Sequence, residues 1–178
     1  VSGIPSNLNI SEEYINDQLK RRQAGYGRGL RMKIESDTAE IISGVRFNKT
    51  LGSPISMFIK NKDWENWTDI MSVAKNNSDV EKISIPRPGH ADLVGTLKYN
   101  YDDIRNSIER SSARETAARV AACSVARKLL SQFGIEVGSY VESIGGIFSK
   151  ENFADRFFDG KEVDSLSAEK INRQSDKS

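Results

Sequence analysis

Near its start the chain sets apolar residues into polar surroundings with a helical rhythm. Ser11 stands where an N-cap belongs, Glu12 and Glu13 would occupy the positive first turn, and Ile10 and Ile15 have the spacing of a hydrophobic staple. Ile15 and Leu19 continue the period, so a helix is expected from Ser11 to about Arg21-Arg22. A glycine-rich loop, Gly25-Tyr26-Gly27-Arg28-Gly29, follows it. Three β-prone runs come next, at roughly 31–36, 38–43 and 55–60, divided by Asp37 and by the segment from Gly44 to Pro54.

Further on, Trp64, Trp67, Ile70, Met71 and Ala74 are spaced to line one face of a short helix, as packing residues. A long connection with Pro86, Arg87, Pro88, Gly89 and His90 follows, a length that is often functional in a compact domain. The clearest element lies after Arg110. Ser112 and Glu115 spell a capping box, while Ala117, Val120, Ala121, Val125 and Leu129 recur at helical intervals up to Gly134, a natural C′ residue. Ala117, Ala118, Ala121 and Ala122 would let this helix pack closely, and a strand is expected at 135–141. No internal repeat or low-complexity segment is evident.

Composition narrows the function classes. With 178 residues the chain can bury a core, and 37% hydrophobic against 29% charged residues argues against general disorder. Lys and Arg number 26 against 25 Asp and Glu, which lacks the broad basic surplus of a nucleic-acid-coating protein. One cysteine, Cys123, rules out an intrachain disulfide, and with only one histidine no transition-metal site built from this chain alone is expected. No apolar run reaches membrane-spanning length and no signal-peptide pattern opens the chain, so a cytoplasmic setting without membrane association is expected. Val1 and the polar stretch at 165–178 suggest a chain cut at both ends.

Several groups carry candidate chemistry. Arg110-Ser111-Ser112 precedes the long helix, whose start offers unpaired N–H groups and partial positive charge to a phosphate. A plain capped helix beside an incidental arginine fits the same pattern. Arg22 and Arg28 flank the glycine loop and suit bidentate capture of an anion, although a solvated basic face is the commoner reason for such a cluster. The loop matches neither a P-loop nor a dinucleotide fingerprint. His90 has the chemistry for proton transfer near neutral pH, next to an anion partner in Arg87 and a turn at Pro88-Gly89. Cys123, mid-helix, reads as a small core residue and not a nucleophile.

Together these blocks closely resemble the chorismate synthase family. The resemblance rests on Arg87-Pro88-Gly89-His90-Ala91-Asp92, on the run from Arg110 to Ala122, on Arg22 through Arg28, on Leu51-Gly52-Ser53-Pro54-Ile55 and on Gly145-Gly146. It spans most of residues 1–147, and Gly25-Tyr26-Gly27-Arg28 with Asp63-Trp64 resemble the bacterial, monofunctional branch. The resemblance implies an α+β fold, a β-α-β sandwich with the alanine-rich helix in its inner layer, assembled as a homotetramer. It implies a lyase of the shikimate pathway, which makes the precursor of the aromatic amino acids. The reaction is 1,4-anti-elimination of phosphate from 5-enolpyruvylshikimate 3-phosphate to chorismate, with reduced FMN. NADPH would act as an indirect reductant through an external flavin reductase.

By the same resemblance His90 is the catalytic histidine near the flavin. Arg110, Ser111 and Ser112 belong to the flavin site, with Arg22 and Arg28 binding cofactor or substrate, and Arg87 helps hold the substrate's anionic groups. The family's opening segment with a second catalytic histidine and its C-terminal half find no counterpart here, and Cys123 replaces a common glycine. Residues 1–178 are therefore expected to be a partial domain, inactive in isolation. The competing readings are a non-catalytic nucleotide- or RNA-binding module using the Arg/Gly loop and a remnant of scaffold value only.

Overall fold

The computed structural model of the chain describes residues 1–23, 36–74, 80–111 and 113–148. It divides into two compact units, one made of Val1–Ile59 with the chain from Val120 on, the other of Lys60–Arg119.

In the first unit, strand β1 (Ser6–Asn9) leads into helix α1 (Glu12–Gln23). The helix starts as its sequence dictates. The Tyr14 amide donates to Ser11 Oγ at 3.2 Å, and the staple residues Ile10 and Ile15 are both buried. Strands β2 (Ala39–Ser43) and β5 (Ser56–Ile59) form one antiparallel pair, with Ala39 opposite Ile59 and Ile41 opposite Met57. Strands β3 (Val45–Arg46) and β4 (Lys49–Leu51) form a hairpin, and β4 also pairs with β1 to give the order β1-β4-β3. Its two-residue turn places Phe47 and Asn48 at φ of 50° and 58°, the left-handed geometry of tight hairpins. Gly44 stands at φ +83°, where a Cβ would lie 2.5 Å from the Pro54 carbonyl oxygen. These features explain why the segment between the expected strands holds two short strands of its own.

Helix α1 is tied to β2 by side chains that imitate a neighbouring strand. Asn16 accepts from the Ala39 amide at 2.7 Å and donates to its carbonyl, and Glu12 accepts from the Ile41 amide at 2.7 Å. Beneath lie Ile4, Leu8, Ile10, Ile15, Leu19, Ala39 and Ile55.

The second unit holds a 3-10 turn (Trp64–Asn66) and helices α2 (Asp92–Tyr99) and α3 (Arg105–Arg110). The helical face expected from Trp64 to Ala74 is not formed. Asp63 captures Asn66 Nδ2 at 2.7 Å and Trp67 Nε1 at 2.8 Å, which winds the chain into the tight turn and leaves Trp64 and Ile70 exposed. The connection expected around Pro86–His90 is present, and α2 and α3 follow it where no helix was expected. They approach closely at Gly95, where a Cβ would collide with the buried Ser107 hydroxyl.

Helix α4 (Ala113–Ser131) crosses from the second unit into the first and buries Ala117, Ala121, Ser124 and Val125. It ends as expected. Gly134, at φ +69°, donates to the Ser131 carbonyl at 3.2 Å and the Ile135 amide returns to Leu130 at 3.2 Å, the paired bonds of a Schellman stop. Cys123 is exposed, contrary to the expected core position, because the buried stripe passes through Ala121, Ser124 and Val125 instead. Residues 135–141 form no strand. Ile135, Val137 and Tyr140 are exposed, and the ladder comes later, in a hairpin of β6 (Ser143–Ile144) and β7 (Ile147–Phe148) turned by Gly145 and Gly146. The glycine loop, the expected strand at 31–36 except Ser36, and the cap residue Ser112 lie outside the described residues.

Candidate functional site

The residues Arg87 to Asp92 form a tied turn at the start of α2. Asp92, the helix's first residue, is fully buried. Its Oδ2 accepts from the Arg87 backbone amide at 3.0 Å and from Arg87 Nε at 2.8 Å, while Oδ1 accepts from Nη2 at 2.9 Å. A planar guanidinium fork thus meets a carboxylate in two places, and the backbone adds a third bond. The hydrogen bond from the Arg87 side chain holds the Asp92 carboxyl at about 2, below its ordinary 3.8, against the opposing effect of desolvation. The sequence pointed to Arg87 as a ligand-binding arginine. In the structure its guanidinium is engaged by Asp92, so its first role is to hold the turn.

His90 sits at the apex of that turn and is exposed. Its amide donates to the Arg87 carbonyl at 3.4 Å, and its Nδ1 lies 3.0 Å from the Pro88 carbonyl oxygen. Gly89 takes φ of +71°, the left-handed conformation the turn requires. One short peptide therefore carries a committed arginine, a buried acid and a displayed imidazole.

The remaining site candidates are dispersed. Arg110 is exposed in the last turn of α3, and Ser111 caps that helix, with its hydroxyl donating to the Ser107 carbonyl at 2.8 Å. The pair thus closes one helix immediately before α4 opens. Ser112 and Arg28 lie outside the described residues. In the first unit, Arg22 lies in the last turn of α1 with Nη2 3.4 Å from Oδ2 of the buried Asp37. It lines a cavity of about 510 Å³ together with Gln18, Arg21, Cys123, Arg127 and Leu130. Gln18 Oε1 accepts from Arg21 at 3.0 Å and from Arg127 at 3.1 Å, so the wall is cationic and internally braced.

Comparison with known proteins identifies the pattern. A family model described as chorismate synthase matches residues 1–177. The chain belongs to the chorismate synthase family. It is 62% identical over 148 residues to the chorismate synthase of Chlorobaculum parvum, which covers 83% of this chain and 36% of that protein. With the chorismate synthase of Aquifex aeolicus it shares 63% over 146 residues, 82% of this chain and 37% of the relative. For that of Pelodictyon phaeoclathratiforme the figures are 55% over 177 residues, 99% of this chain and 44% of the relative. A crystal structure of chorismate synthase superposes with a TM-score of 0.60 at 49% identity, over 84% of this chain and 34% of that one. The chain thus spans less than half the length of each of these proteins. The α+β class agrees with that neighbour. None of these proteins is described as a nucleotide- or RNA-binding module.

Within this member of the chorismate synthase family, sequence reasoning passed over the two acids that fix the site arginines. Asp37 read as a divider between strands and Asp92 as the end of a motif. The signal was present in Arg87 and Asp92 five positions apart around Pro88-Gly89, a spacing that lets a turn bring them face to face. Among the described residues no group of three or more His, Cys, Asp and Glu side chains is placed to hold a metal, and no helix is long and apolar enough to cross a membrane.

Proposed function

We propose that the chain is part of an FMN-dependent chorismate synthase, which eliminates phosphate from 5-enolpyruvylshikimate 3-phosphate in a 1,4-anti sense to give chorismate. The observation that carries this reading is the tied turn. The family's Arg-Pro-Gly-His block displays His90 on a rigid loop, as an acid–base group needs.

His90 serves as the proton-handling group near the cofactor. The cationic side chains Arg22 and Arg28 hold the anionic groups of substrate or cofactor, and the charge developing on the departing phosphate is met by guanidinium groups. Arg87 supports this through the turn that it fixes. Arg110, Ser111 and Ser112 would hold FMN. The fit is electrostatic: the exposed Arg110 guanidinium and the partial positive charge at the start of the 19-residue α4 suit a phosphate or a flavin carbonyl. Reduced FMN, when bound, supplies electron density that assists loss of phosphate without net redox change. Its reduced state comes from an external flavin reductase, with NADPH the distant reductant. The enzyme works in the cytoplasm as a homotetramer.

The test is an anaerobic assay of a polypeptide of the relatives' length that contains this chain. Given reduced FMN and 5-enolpyruvylshikimate 3-phosphate it is expected to release chorismate and phosphate in equal amounts. Absence of both products with flavin bound would overturn the proposal.

A further inference from the structure

The tie between Arg87 and Asp92 also bears on which nitrogen of His90 is available for chemistry. The Pro88 carbonyl oxygen can only accept, so its 3.0 Å contact with Nδ1 is a hydrogen bond only when Nδ1 carries a proton. The neutral ring then has its lone pair on Nε2, and the imidazolium carries its second N–H there. We infer that Nε2 is the atom through which His90 takes up and delivers a proton, and that Asp92 is a positioning residue that holds this tautomer.

The chain of constraint is short. Asp92 is buried, and its own carbonyl accepts from Thr96 Oγ1 at 2.8 Å inside α2. Its carboxylate fixes both the backbone and the guanidinium of Arg87. The Arg87 carbonyl receives the His90 amide, which closes the turn over Pro88 and Gly89. The Pro88 carbonyl is therefore held between two anchored points and aimed at the ring. Metal ligands are commonly oriented through their second nitrogen in the same manner, and here a backbone carbonyl takes that part for a proton carrier. Without the tie, an exposed imidazole would rotate into water, where the neutral ring prefers to carry its proton on Nε2.

The role given to Nε2 rests on the acid–base reading of His90, whereas the tautomer can be measured without any activity. The sequence contains a single histidine, so the imidazole nitrogens of a uniformly ¹⁵N-labelled chain need no assignment. At a pH that keeps the ring neutral, ¹⁵N–¹H correlation is expected to show Nδ1 protonated and Nε2 bare in the majority of molecules. A majority with Nε2 protonated, as in a free histidine side chain, would overturn the inference. In Asp92→Asn the Nδ1-protonated fraction is expected to fall to the level of a free side chain, and an unchanged fraction would remove Asp92 from its positioning role. Since a buried substitution can unfold α2, Arg87→Lys is the companion variant. It alters a side chain that is 43% exposed, retains the charge and loses the fork. With the Gly95 amide signal in place, the same fraction is expected to drop part of the way, and no drop would contradict the tie. Failure of chorismate formation would strike the proposed function and leave these spectra as they are.

Discussion

The two units of the molecule are held together differently. In the first, Ile4, Leu8, Ile10, Ile15, Leu19, Ala39 and Ile55 are buried with Ala121 and Val125 of α4, and polar bonds such as those of Asn16 complete the packing. In the second, the buried apolar side chains among the described residues are only Ile104 and Ala117, while Ile85, Leu93, Val94 and Leu97 are exposed. Order there comes from polar ties. Arg87 is bound to Asp92, Lys82 to Asp102 and Arg105 to Asp103, and the Ile104 amide donates to the Ile83 carbonyl at 2.9 Å. His90 belongs to this second kind of structure. Hydrophobic burial is non-directional and stabilises broadly, whereas a buried charged tie fixes a local geometry at little gain in overall stability. That division suits a scaffold in one unit and a displayed reactive group in the other.

The largest expected effect tests the hydrophobic side of the contrast. Ile15 is fully buried, and Ile15→Ala should destabilise the fold by about 2–5 kcal/mol by denaturant unfolding, whereas Leu97→Ala at an exposed site should stay within about 0.5 kcal/mol. Equal losses at the two positions would erase the distinction. A smaller effect is expected at the contact between α2 and α3. Gly95→Ala forces the buried Ser107 hydroxyl away from the Ala91 carbonyl, at about 1–3 kcal/mol of strain, offset by up to ~1 kcal/mol of better helix propensity. A stabilised variant would show that the close approach is dispensable.

Acid should loosen the polar side selectively. The Asp92 pKa is lower in the folded state, so its stabilising contribution is present above the ordinary value of 3.8 and is lost as pH falls from there to about 2. The carboxyl carbon of Asp92, followed by NMR, is expected to titrate near the lower value. Titration at 3.8 would mean that the tie does not form. A subtler expectation concerns Arg28. If it clamps an anion bidentately, Arg28→Lys should raise KM about tenfold, equivalent to a charged hydrogen bond of ~1.4 kcal/mol, with stability unchanged. Unaltered kinetics would make the basic cluster a solvated face.

The contrast also explains how much could be read from the residues. Helix α1, the stop at Gly134, and the strands β2 and β5 follow from caps, periodicity and β-prone composition, because local side chains determine them. Helix α2 escaped that reading because it is short, Gly95 interrupts it and Ala91 gives its start no side-chain cap, so neither propensity nor capping marks it strongly. The short turn at Trp64 depends on the side chain of Asp63, which no apolar period reveals. At the candidate site His90 and Arg87 were visible as residue types in a motif. That Arg87 serves Asp92 first could be seen only once the turn brought a carboxylate five residues away under its guanidinium.

In the proposed function the polar-tied unit carries the proton chemistry through His90. The most direct test of that role is steady-state turnover of His90→Ala in a polypeptide of the relatives' length, assayed anaerobically with reduced FMN beside a thermal melt. A fall in kcat of about 10²-fold or more with the melting temperature almost unmoved is the predicted result. Near-normal turnover in His90→Ala would contradict the account.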